Sequence, residues 1–168
     1  MKRRNFWYFV FAAFFLVSSC GEKESGITTF ILIRHAEKGD DGTQDPDLKA
    51  EGNARAEKLA SMLKDTHLAA IYSTNYKRTK NTVKLIAQMK DLEIQTYEAH
   101  NPEVIEKMIE QHRGEIVLVS GHTNTTPWTA NLLLGKEMYD EYDESEYGII
   151  LIVGVAEMGT GTVTRMNY

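Results

Sequence analysis

Ile27-Thr28-Thr29-Phe30-Ile31-Leu32-Ile33 runs directly into Arg34-His35-Ala36-Glu37-Lys38. The first stretch is β-branched and mostly apolar, as expected of a strand covered on both faces. The second is charged and carries an imidazole. A strand of this kind needs apolar neighbours, and the sequence downstream supplies them. After a polar loop over Gly39–Pro46, Leu48–Leu63 places Leu48, Gly52, Ala56, Leu59, Ala60 and Leu63 on one side at helical spacing. Leu68–Tyr72 reads as a short strand, Asn75–Met89 as a helix with Thr79, Val83, Ile86 and Ala87 on one face, and Ile94–Tyr97 as a strand. Pro102–His112 reads as a helix opened by proline, with Val104, Ile105, Met108 and Ile109 inward. Glu115–Val119 is a strand, Thr126–Leu134 an apolar helix ended by Gly135, and Ile149–Val155 and Thr162–Met166 are late strands around a Gly-rich turn. No internal repeat is visible. Strands alternating with helices predict a three-layer α/β/α sandwich with a mainly parallel central sheet.

Ligands of such sheets bind beyond the carboxyl ends of the strands. Three of those ends carry chemistry: Arg34-His35-Ala36-Glu37-Lys38, Ser73-Thr74-Asn75-Tyr76-Lys77-Arg78, and Ser120-Gly121-His122-Thr123-Asn124. Two arginines and two histidines thus share one sheet edge. Guanidinium forks match phosphate oxygens, and Arg78 falls in the first turn of its helix, where free N–H groups also favour an anion. A neutral imidazole can attack phosphorus and divide one hard step into two. A second imidazole, if protonated, can donate to the phosphoryl oxygens. Taken singly, Arg78 could equally belong to a solvated face with Lys77 and Lys80, and His67, His100 and His112 read as surface residues. Two histidines could instead bind zinc, but the arginines would repel a dication and no third ligand is placed. No metal or other cofactor is expected.

The ordered motifs resemble those of the histidine phosphatase superfamily, the phosphoglycerate-mutase-like proteins. Ile33-Arg34-His35-Ala36-Glu37 follows the first strand, Leu48 to Gly52 matches Leu-x-x-x-Gly, and Ser73, Arg78 and Thr82 match Ser-x-x-x-x-Arg-x-x-x-Thr. Gly121-His122 follows a hydrophobic strand, and the match runs from about Ile27 to Leu134. The resemblance implies that His35 is the nucleophile that becomes phosphohistidine, and that Arg34, Arg78 and His122 complete the phosphate pocket. Thr123 and Asn124 sit beside it as supporting residues. Glu98 is the nearest candidate for the general acid that protonates the leaving group, with Glu37, Asp40, Asp41 and Asp45 as alternatives. The expected activity is hydrolysis of phosphate monoesters, or of phosphohistidine, on a small phosphorylated substrate. The alternative from another class is a non-catalytic phosphate-ligand-binding lipoprotein of the same fold. A mutase is disfavoured, because it must retain and re-orient a bisphosphorylated intermediate.

The amino terminus is a different kind of sequence. Lys2, Arg3 and Arg4 precede an apolar run from Phe6 to Val17, followed by Ser18, Ser19 and the only cysteine, Cys20. The run is too short for a spanning helix, which needs about 20 residues, and has the form of a secretory signal. Val17-Ser18-Ser19-Cys20 resembles the bacterial lipobox. Residues 1–19 are therefore expected to be a lipoprotein signal peptide, residues 20–26 a lipidated tether on Cys20, and residues 27–168 the phosphatase domain. That makes the chain a small bacterial lipoprotein, exported and anchored to the cell envelope. The 168-residue chain has net charge -5. Removing residues 1–19, with three basic and no acidic residues, leaves 149 residues of charge -8. That balance disfavours nucleic acid as a partner.

Overall fold

The computed structural model describes residues 26–168. The signal peptide, the lipobox with Cys20 and all of the tether but Gly26 lie outside the described residues. The elements are β1 (Thr28–Arg34), α1 (Ala50–Leu63), β2 (Ala70–Ser73), α2 (Lys77–Lys90), β3 (Ile94–Thr96), α3 (Pro102–Gln111), β4 (Ile116–Gly121), α4 (Thr125–Leu134), β5 (Ile149–Val155) and β6 (Thr162–Asn167). They build one six-stranded sheet in the order β3-β2-β4-β1-β5-β6. β3, β2, β4 and β1 are parallel neighbours. β5 is antiparallel to β1 and β6 antiparallel to β5, so β5 alone is reversed. The sheet is therefore mixed, with five of its six strands pointing one way.

Period-two alternation along the strands divides the core between two faces. Phe30, Leu32, Val117, Val119, Leu151 and Val153 pack with Ile105, Met108 and Ile109 of α3 and Ala130 and Leu133 of α4. Ile31, Ile33, Ile71, Leu118 and Ile150 face the other way, onto Leu59 and Leu63 of α1 and Val83 and Ile86 of α2. That is the expected α/β/α sandwich.

Helix ends follow their local chemistry. Asn101 accepts the Glu103 N–H at 3.1 Å ahead of Pro102, and α4 stops at Gly135, whose φ of 67° closes the last turn. Two helices begin later than their periodicity suggests. Leu48 is held in an antiparallel bridge with Lys38, so α1 starts at Ala50. Tyr76 is extended, with ψ of 149°, so α2 starts at Lys77.

Reversal of β5 has a direct consequence for the site. The chain leaves α4, and β5 must begin at the edge where β1 and β4 end. Residues 136–148 therefore cross that edge.

The Leu-x-x-x-Gly glycine has a steric reason. A Cβ on Gly52 would overlap the carbonyl oxygen and amide nitrogen of Glu37, two residues after His35. At an open helical position Gly→Ala gains about 1 kcal/mol. Here Gly52→Ala is expected to destabilise by about 2–3 kcal/mol through overpacking, read as a lowered midpoint in urea with an unchanged m-value. A neutral or stabilising substitution would refute the close approach.

Candidate active site

Four segments meet at the carboxyl edge of the sheet. His35 is the residue after β1; its N–H donates to the Gly121 carbonyl at 2.9 Å, and the residue is 4% exposed. Its Nδ1 lies 2.7 Å from the Ala36 carbonyl oxygen. A carbonyl only accepts, so Nδ1 carries the proton and the lone pair resides on Nε2. The Ala36 N–H in turn donates to Thr82 Oγ1 at 2.9 Å, and Thr82 Oγ1–H donates to the Arg78 carbonyl at 2.7 Å. The motif threonine therefore ties the nucleophile loop to the helix that carries Arg78.

His122, the residue after β4, has its ring centroid 5.4 Å from that of His35 and packs edge-on to Tyr76 at 4.9 Å. Burial and the charges of Arg78 and Arg34 lower its pKa to about 4. Burial is also the main cause for His35, lowered to about 3, with the Ala36 bond opposing and Arg34, His122 and Arg78 adding to the fall. Both imidazoles are therefore neutral near pH 7.

Arg78 sits in the first turn of α2 over the Tyr76 ring (4.4 Å). Its Nη1 makes only long contacts, 3.4 Å to the Gln44 carbonyl and 3.5 Å to Asp45 Oδ1. Arg34 is placed differently from its expected role. It is 2% exposed, and both Nη groups are occupied by the crossing loop. Nη1 donates to the carbonyls of Asp143 (2.9 Å) and Glu146 (2.7 Å), and Nη2 to the Glu144 carbonyl (3.1 Å) and Glu144 Oε2 (3.3 Å). Tyr147 lies 4.1 Å from its guanidinium carbon. Arg34 thus clamps residues 143–147 beside the site, and its Nε is its one donor without a partner. Among the described residues, the buried side-chain polar atoms lacking a partner are Nε of Arg34, Nε of Arg78 and the hydroxyls of Tyr142 and Tyr168. Half of that deficit falls on the two arginines beside the histidines.

A cleft of about 490 Å³ opens here, walled by His35, Lys38, Thr74, Tyr76, Arg78, His100, His122, Thr123, Asn124, Glu141 and Glu144, among others. Thr123 and Asn124 are brought to it as expected. Asn124 precedes α4 without using its side chain as a cap, which leaves its amide free for the cleft. Glu98 is not brought there. It is exposed, accepts from Asn101 Nδ2 at 3.2 Å, and forms no part of the wall. Glu37 is held by Arg55 through three hydrogen bonds of 2.6–3.1 Å. The carboxylates on the wall are Glu141 and Glu144, both from the crossing loop, whose aperiodic sequence offers no signal for them. Glu144 Oε2 also lies 3.7 Å from Lys38 Nζ. His100 is exposed, as expected of a surface residue, at the cleft wall, where it packs edge-on to Trp128 at 5.0 Å. His112 is half-buried and bridges the Tyr72 hydroxyl (2.8 Å) and Glu115 (3.0 Å); His67 is exposed.

The two neutral imidazoles couple stability to pH. Their folded pKa values lie below the ordinary 6.5, so between pH 6.5 and about 4 the unfolded chain binds protons that the folded chain refuses. Their contribution is complete above pH 6.5 and is lost as pH falls, by at most about 1.4 kcal/mol per pH unit for each group. Urea unfolding between pH 7 and 4.5 is expected to show this slope, and His122→Gln to reduce it. A stability independent of pH in that window would contradict the burial of both rings.

The arrangement is that of a phosphoglycerate-mutase-like α/β fold with a phosphate-type site at its strand ends. Residues 30–101 match the model of the histidine phosphatase superfamily (branch 1). A phosphoserine phosphatase 1 of Hydrogenobacter thermophilus is 43% identical over 70 residues, 38% of this chain, and the match spans only 33% of that relative's length. Solved structures are similar over most of the fold. A phosphoserine phosphatase of Entamoeba histolytica in complex with phosphoserine aligns with TM-score 0.65 at 18% identity, over 83% of this chain and 96% of the other. A mycobacterial glucosyl-3-phosphoglycerate phosphatase aligns with 0.68 at 11% (84% and 98% covered). The protein histidine phosphatase SixA, complexed with tungstate, aligns with 0.66 at 16% (83% and 96%).

Proposed function

We propose that this chain is a phosphatase that hydrolyses small phosphate monoesters, or phosphohistidine, through a phosphohistidine on His35. The observation that carries this is the Nδ1–Ala36 bond. It presents Nε2 of a neutral, buried imidazole as a nucleophile beside two arginines with unpartnered Nε–H groups. Nε2 attacks phosphorus, the bond to the leaving oxygen breaks, and its electron pair goes to that oxygen. Water then cleaves the P–N bond and returns His35. An alkoxide leaving group needs a proton. Glu141, on the cleft wall and in no ion pair among the described residues, is the carboxyl placed to supply it; an imidazole leaving group needs none. Glu144 Oε2 on Arg34 and Lys38 is an internal anion that an incoming phosphate displaces. The named activities of the similar proteins support a phosphomonoester substrate; that of the 43%-identical relative favours a phosphorylated amino acid.

The test is turnover of a panel of aryl, alkyl and amino-acid phosphates by the full chain in detergent. Acid-labile phosphate is then trapped on the protein. Binding of inorganic phosphate or vanadate with no turnover of any ester would favour the non-catalytic binding protein instead.

We further propose that the chain is exported and lipid-anchored through Cys20 in a bacterial cell envelope. β1 enters at the edge of the sheet opposite the cleft and runs seven residues to reach it, about 20 Å at strand rise. An anchor preceding β1 attaches at the end of that strand opposite the cleft. Cys20→Ala is expected to shift the protein from the membrane to the soluble fraction with kcat unchanged, measured by fractionation and activity. Retention in the membrane would count against the lipid anchor.

A further inference from the structure

Thr74 and Thr79 occupy positions that the Ser-x-x-x-x-Arg-x-x-x-Thr motif leaves open, yet both are buried at the site, at 5% and 0% exposure. Thr79 Oγ1 lies 2.9 Å from the Tyr76 carbonyl oxygen and 3.0 Å from that of Thr74. Carbonyls cannot donate, so the single hydroxyl proton of Thr79 is directed at them. Its lone pairs face Thr74 Oγ1, 3.0 Å away, and draw the Thr74 hydroxyl proton. Thr74 Oγ1 is then left with lone pairs toward His122 Nε2, at 2.9 Å. Only one filling of these contacts avoids opposed lone pairs, and in it Nε2 of His122 carries the hydrogen.

From this directional chain we propose that Thr74 and Thr79 are positioning residues that fix the His122 tautomer, leaving Nδ1 as the base that deprotonates the hydrolytic water. The second half rests on the phosphatase function proposed above. His122 is on the cleft wall, and its Nδ1 has no hydrogen-bond partner among the described residues. In the second step the water oxygen attacks phosphorus. The P–N bond breaks, and its electron pair returns to Nε2 of His35, whose Nδ1–H stays on Ala36. One water proton passes to His122 Nδ1, and the other stays on the released phosphate. His122 then loses its proton to solvent. The charged and titratable groups facing His122 are Arg78, Arg34, Lys38, Asp45, His35 and Tyr76. Burial, with the cations among them, keeps it neutral, and hence a base, in the free protein.

Long-range ¹⁵N–¹H correlation spectra of the labelled full chain in detergent read the tautomer without turnover. The expected result at pH 7 is a protonated Nε2 and a bare Nδ1 on His122. Thr74→Val is expected to mix the tautomers, and Thr74→Ser to restore the single form. With p-nitrophenyl phosphate and rapid quench, Thr74→Val is expected to lower kcat about ten-fold, the scale of one lost hydrogen bond. The steady-state fraction of phospho-His35 should rise, because breakdown slows more than formation. A protonated Nδ1 in the wild type overturns the relay, as does a Thr74→Val protein with the unchanged tautomer. The predicted tautomer in a protein that turns over no phosphate ester supports the relay and overturns the water-deprotonating role, which separates the two proposals. A Thr74→Val protein with the mixed tautomer and an unaltered phosphoenzyme fraction also overturns that role.

Discussion

Replacing His35 by alanine is expected to lower kcat by about 10⁴-fold or more and to abolish acid-labile phosphate on the protein. A covalent nucleophile acts as a unit with the groups around it, so removing it leaves only the residual catalysis of the binding site. Here that residue would be the oxyanion binding of Arg78, and phosphate or vanadate should still bind. His35→Asn, close in size and polar, should be equally inactive. Steady-state turnover of an aryl phosphate, coupled to a vanadate titration followed by intrinsic fluorescence, separates loss of chemistry from loss of binding. A His35→Ala protein that retains a tenth of wild-type kcat would refute the covalent route. One that loses vanadate binding as well would show that the ring, which contacts the Ala36 carbonyl through Nδ1 and packs edge-on to His122, organises the pocket.

Arg78→Ala is expected to lower kcat/KM by about 10²–10³-fold, the scale of removing one preorganised donor aimed at developing negative charge. Arg78 is the better placed of the two arginines. Its guanidinium is held loosely by Gln44 and Asp45, whereas Arg34 is committed to the 143–146 carbonyls. Arg78→Lys retains the charge but loses the planar fork and the stacking on Tyr76, and should recover only part of the loss. Arg34→Lys should behave differently. It releases the crossing loop, so its defect is expected in KM and in protease sensitivity near residues 140–147 together. Kinetics of the three variants, with limited proteolysis, decide between these assignments. Equal effects of Arg78→Ala and Arg34→Lys on both readouts would refute the division of labour.

Much of this was written in local sequence. The β-branched run before Arg34-His35, the apolar faces of α1 and α2, and Gly135 after α4 follow from periodicity and turn chemistry that neighbouring residues settle among themselves. The same edge placement identified His35, Arg78 and His122 as one group, because a parallel strand ends where its apolar run ends. Boundaries slipped at Leu48 and Asn75, where a bridge to Lys38 and an extended Tyr76 overrode helical spacing.

The sequence by itself determined the layers, the strand polarity of the parallel half and the residues at the carboxyl edge of the sheet. Each depends on alternation within an element and on the rule that crossovers return strands to the same edge. Only the tertiary structure decided what those residues do to one another. It gave Arg34 a hold on residues 143–146 beside the site, left Glu98 outside the cleft, and brought Glu141 and Glu144 onto its wall. It also linked Thr79, Thr74 and His122 across α2 and β4. The Arg34 contacts join segments up to 112 residues apart and follow from the single reversed strand β5 and the loop it forces across the site, whereas the threonine link joins the neighbouring ends of β2 and β4. No periodicity records them, because each partner's sequence position satisfies its own backbone and leaves the pairing to the fold.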